Sequence, residues 1–95
     1  MRPYEAMFIL RPDLEEEAIK ELVARFQEIV TSRGGEVTQV NEMGRRRLAY
    51  PIKHFREGYY VVLNFNSKPD ASEELNRVAR ITDSVIRHMI IRDDE

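Results

Sequence analysis

Five cationic side chains stand between Gly44 and Arg56 with no acidic residue among them: Arg45, Arg46, Arg47, Lys53 and Arg56, with His54 beside them. The whole chain carries a formal charge of −2, so this stretch makes a positive surface on an otherwise acidic body. Tyr50, Phe55, Tyr59 and Tyr60 are interleaved with the charges. Cations meet phosphates and flat rings meet unpaired bases, so the mixture suits RNA. The competing reading is an edge strand charged to keep sheets from pairing edge to edge. Charge alone leaves both open.

Other chemistries find less to work with. His54 and His88 lie on different elements with no ligand spacing around them, so no metal site is expected. Glu15 to Glu17 and Glu73-Glu74 offer paired carboxylates, but both groups fall on first helical turns, where the helix dipole explains them. Neither a Gly-rich phosphate loop nor a nucleophile elbow is present. Small acyl-phosphate hydrolases need a backbone cradle after their first strand. Here that turn is Arg11-Pro12-Asp13, which loses a donor to proline and places an acid against any anion. The chain is expected to be no enzyme and to need no cofactor.

Ninety-five residues are enough for a single domain over 1–95 with one core. A hydrophobic content of 42% with 34% charged residues is that of a globular protein. No apolar run approaches the roughly 20 residues of a membrane span, and the N-terminus lacks the apolar centre of a signal peptide. Zero cysteines fit a reducing compartment, so the cytosol is expected, with no membrane partner. A sequence pI near 5.7 tells against a non-specific nucleic-acid coat, and no DNA partner is expected.

These functional residues need elements to hold them. Tyr4 to Leu10 is a short apolar run between two prolines, read as a strand. Asp13, with Glu16 three residues on, has the pattern of a capping box. Ile19, Leu22, Val23, Phe26, Ile29 and Val30 then repeat at helical spacing until Gly34-Gly35. Glu36 to Ile52 reads as extended, with a bulge or bend at Gly44. Pro51 places it at a sheet edge or ends it there. A loop is expected from Lys53 to Gly58, then a strand from Tyr59 to Asn66. A second helix follows, capped by Asp70, and a last strand runs from Val85 to Ile91. The acidic end, Asp93-Asp94-Glu95, is expected to fray.

Strand, helix, strand, strand, helix, strand is the order of the split βαβ unit. The expected fold is an α+β, ferredoxin-like two-layer sandwich, a four-stranded antiparallel sheet with both helices on one face. Two helices leave the other face open. Alternation sends Ala6, Phe8, Leu10, Val61, Leu63 and Phe65 towards the helices. Met7, Ile9, Tyr60 and Val62 go to the open side, joined by Met89 and Ile91 or by their neighbours, since the last strand is apolar on both faces. A greasy open face points to a protein partner. An RNA-recognition motif has the same element order, but its rings stand on the open face. Tyr59 and Tyr60 are adjacent here and point to opposite sides.

Arg2-Pro3-Tyr4-Glu5, the run from Gly44 through Arg46-Arg47-Leu48-Ala49-Tyr50-Pro51 to Ile52, and Gly58-Tyr59-Tyr60 together resemble the family of the sixth protein of the bacterial small ribosomal subunit. The likeness covers nearly the full length. It implies binding to small-subunit ribosomal RNA as a heterodimer with the eighteenth small-subunit protein, in support of central-domain assembly on the cytoplasmic ribosome. Arg2, Tyr4, Arg45, Arg46, Arg47, Lys53, His54, Arg56 and Arg87 are then the expected RNA contacts, with Arg2 and Arg87 near the same end of the sheet. Tyr4, Tyr50 and Tyr60 are candidates for stacking or ribose hydrogen bonds, Tyr50 more readily as packing. Met7, Ile9, Tyr60, Val62, Met89 and Ile91 form the expected partner face. The rival class is a protein-interaction module recognising an acidic partner without RNA.

Overall fold

The chain's structure, a computed structural model, describes residues 1–93. Its elements are β1 (Arg2–Leu10), α1 (Glu16–Ser32), β2 (Glu36–Ile52), β3 (Phe55–Ser67), α2 (Pro69–Ile81) and β4 (Val85–Arg92). The strands form one antiparallel sheet in the order β2-β3-β1-β4, with Pro51 on an edge strand as expected. This is the ferredoxin-like sandwich. Ala6, Phe8, Leu10, Val61, Leu63 and Phe65 meet Ile19, Val23, Phe26, Val30, Leu75 and Val78 in the main core. The Phe8 and Phe26 rings stack with centroids 4.3 Å apart, which pins α1 to the central strand.

Both helices are capped two residues away from the expected positions, α1 later and α2 earlier. Asp13 gives its carboxylate to the Arg11 guanidinium, at 3.2 and 3.0 Å, and α1 starts after Glu15, whose side chain makes no capping bond. Lys68 stands at the cap of α2 and Pro69 at its first position, where a fixed φ suits the turn and a missing N–H costs nothing. Asp70 therefore falls inside the first turn, still at the positive end of the dipole.

The expected loop at Lys53–Gly58 is mostly strand. Ile52 pairs with Phe55, so only Lys53 and His54 make the turn, with φ of 49° and 73°. Two positive φ values in a two-residue turn match the right-handed twist of the strands they join. Register shifts interrupt β2 after Val37, between Glu42 and Gly44, and after Arg47. Gly44, at φ 86°, is the bend that the sequence suggested.

The open face is also partly corrected. Met7 lies opposite both Val62 and Met89, and Glu5 opposite Ile91, which settles the parity of β4: Met89 and Ile91 are on the open side. Ile9 does not remain available there. Leu48 lies over it, and with Ile86 the three form a second small core, fringed by Ile52, Phe55 and Tyr60. The β2–β3 hairpin thus curls over one end of the open face and covers it. At the other end the Asp93 N–H donates to the Pro3 carbonyl at 2.8 Å, while Asp94 and Glu95 lie outside the described residues.

Candidate nucleic-acid interface

Alternation along β2 divides the arginine triplet. Arg45 is opposite Tyr59, whose ring belongs to the helix side, so its guanidinium reaches the β1–α1 connection. There it donates to the carbonyls of Pro12 (2.8 Å) and Leu14 (3.2 Å), and it sits 5.9 Å from the Tyr59 ring. The Tyr59 hydroxyl in turn donates to Glu42 at 2.9 Å. Burial and then that carboxylate push the Tyr59 pKa up. Arg45 is therefore a brace between hairpin and loop, with two of its donors turned to protein carbonyls.

Arg46, one residue on, lies opposite Gly58 and belongs to the other side. Arg47 is opposite Glu57, yet shares a groove of about 110 Å³ with Arg56, Tyr50 and Pro51. Among the described residues, the side chains of Arg46, Arg47 and Arg56 make no hydrogen bond or ion pair. Tyr50 is 58% exposed, against the expectation of packing, and its hydroxyl accepts from Arg87 Nη1 at 2.8 Å. This link ties the hairpin to β4. It borders a concavity of about 290 Å³ whose wall includes Met7, Tyr60 and Met89. Arg11 also joins the neighbourhood, with its guanidinium 5.4 Å from the Phe55 ring.

Two other expected contacts lie elsewhere. Tyr4 is 7% exposed and stacks on Phe65 at 5.4 Å within the main core, so its ring has no free face for a base. Arg2 pairs in register with Ser67, at the end of β1 remote from the hairpin. Seven residues at about 3.3 Å each place it roughly 23 Å from Ile9, so Arg2 and Arg87 do not share an end of the sheet. Lys53 and His54 occupy the hairpin turn itself, both exposed. Sequence reasoning missed the Arg87–Tyr50 and His88–Asn76 links, because neither pairing leaves a local signal.

The brace, the bare arginines and the half-covered sheet can be set beside known proteins. The profile of the family described as Ribosomal protein S6 matches residues 3–92. The chain belongs to that family. The small ribosomal subunit protein bS6 of Caldanaerobacter subterraneus subsp. tengcongensis is 57% identical over 95 residues, covering 100% of both chains. Its counterpart in Desulforudis audaxviator is 54% identical over 94 residues, covering 99% of this chain and 100% of that one. The crystal structure of 30S ribosomal protein S6 from Thermotoga maritima superposes with a TM-score of 0.90 at 39% identity, over 96% of this chain and 86% of that one. The ribosomal protein S6 family is structural and carries no enzymatic activity.

Proposed function

We propose that the chain binds small-subunit ribosomal RNA together with the eighteenth small-subunit ribosomal protein, and that the pair supports assembly of the subunit's central domain. Family membership makes the chain a component of the small ribosomal subunit, and so of the cytoplasmic ribosome. One observation carries the RNA reading. Arg47 and Arg56 share a groove with an exposed Tyr50, Arg46 stands next to them on the same hairpin opposite Gly58, and none of the three side chains has a protein partner among the described residues. Unsatisfied guanidinium forks are matched to phosphate oxygens, and an exposed ring offers a face for a base.

The protein partner sits on what the hairpin leaves uncovered: Met7, Val62, Met89 and Ile91, of which Met89 is 50% and Ile91 43% exposed. A chain of charge −2 repels a polyanion at long range, so RNA affinity is weak alone and rises when a basic partner docks. Titrating a small-subunit ribosomal RNA fragment with and without the partner, over a range of salt, tests both halves. Tighter binding with the partner is expected. Equal affinities would refute the joint mode, and an affinity indifferent to salt would refute the phosphate contacts.

A further inference from the structure

A second cationic concavity lies beyond the hairpin groove. The turn residue Lys53 reaches β4 because the hairpin curls across the sheet, and there it meets the last turn of α2. Lys53, Arg80, Arg87 and His88 line a hollow of about 290 Å³ floored by Ala79, Val85 and Ile86. Among the described residues no acidic side chain lines it. Arg80 needs no explanation beyond the helix C-terminus, where a cation complements the dipole. That account does not extend to a lysine carried in from another element, nor to Arg87 and His88 from the strand between them.

We infer that this hollow is a phosphodiester-binding site, distinct from the Arg47–Arg56 groove, that takes a second stretch of the RNA backbone. The inference rests on the RNA reading above and extends its footprint from the hairpin to the C-terminal end of α2. Arg87 holds Tyr50 with one nitrogen and keeps further donors in its fork, while the side chains of Lys53 and Arg80 make no hydrogen bond or ion pair among the described residues. His88 shares a hydrogen bond of 2.8 Å with Asn76 of α2 and is only half-buried, so its ring reports on charge entering the hollow. Its own protonation is disfavoured by burial and then by Arg80. A bound phosphate offsets Arg80 and moves the ring's titration upward.

The test uses the full chain with its protein partner and a small-subunit ribosomal RNA fragment. Lys53→Ala with Arg80→Gln, both at exposed positions, is compared with the parent and with Arg46→Ala/Arg47→Ala. Two lost phosphate contacts lower the salt slope by about 1.4 to 1.8, at about 0.7 to 0.9 per phosphate. The His88 ring resonances, followed by NMR, titrate at higher pH once RNA is bound. Inorganic phosphate alone is the control. If it moves His88 and RNA does not, the hollow is an anion site unrelated to RNA and the inference fails. An unchanged slope in Lys53→Ala/Arg80→Gln, with the slope still reduced in Arg46→Ala/Arg47→Ala, overturns this site and leaves the RNA reading standing. Loss of salt dependence in neither double variant overturns both.

Discussion

Replacing Gly58 with alanine sets two effects against each other. Gly58 has ordinary negative φ, and an added methyl shortens the list of unfolded conformations, which by itself stabilises by about 0.4–1 kcal/mol. The methyl has nowhere to go. It would run into Ile9 Cγ2, with Leu48 Cδ2 at 3.6 Å and the Leu10 carbonyl also at 3.6 Å. Ile9 cannot swing aside, because it is 5% exposed beneath Leu48 and beside Ile86. Overpacking of a closed cluster costs roughly 1–3 kcal/mol, so sterics win by roughly 1–2 kcal/mol. At about 4–8 °C per kcal/mol for a domain of this size, the melting temperature falls by roughly 4–16 °C. Urea titration of Gly58→Ala measures the loss, and a cycle with Ile9→Ala assigns it: the second methyl is tolerated where Ile9 is already truncated, with a coupling of at least about 0.5 kcal/mol. A neutral or stabilised Gly58→Ala would show that the hairpin does not press on Ile9, and the covered end of the sheet would have to be redrawn.

Other consequences are as direct. Arg45→Ala leaves the salt slope of RNA binding unchanged, since its donors serve Pro12 and Leu14, whereas Arg46→Ala/Arg47→Ala lowers it by about 1.4 to 1.8; filter binding across salt separates them. Replacing Lys53-His54 by Asn-Gly relieves two side chains held at positive φ and raises the urea midpoint, each residue contributing up to about 1 kcal/mol of the roughly 1–2 that left-handed backbone costs. Burial and then Arg80 hold the His88 pKa below its ordinary value, so the unfolded chain takes up that proton first as pH falls. His88's contribution to stability is therefore complete above about pH 6.5 and declines as pH drops through that value towards the lower folded one. His88→Asn loses this component of the pH profile, which denaturation at pH 7.5 and 5.5 would reveal. Met89→Glu puts a charge into the uncovered apolar patch and abolishes partner docking, by size-exclusion chromatography of the mixed proteins, while the melting temperature of the free chain stays within a few degrees.

The element order, the core and the edge position of β2 were all legible, because each rests on a periodic pattern or a proline that acts locally. What escaped notice depends on pairings far apart in sequence. Asp13 looks like a helix cap until Arg11 is seen to hold both of its oxygens. Lys53-His54 carries none of the Asn-Gly signal of a tight hairpin, so the turn hid inside an apparent loop. Alternation located Ile9 correctly relative to the sheet but said nothing of what lay above it, and it was not applied to Tyr4. Leu48 covers Ile9, and Phe65 stacks on Tyr4. Counting three arginines in a row likewise could not reveal that the first of them is spent on the carbonyls of Pro12 and Leu14.

The self-covering hairpin bears on how such a protein survives before it is used. A subunit made apart from its companions must wait in solution, and a fully bare greasy sheet would invite indiscriminate sticking. By laying Leu48 across Ile9, the chain shrinks the sticky area to a handful of side chains around Met89 and Ile91. A smaller bare patch lowers the tendency of free copies to condense with one another, while Met89 and Ile91 stay within reach of solvent.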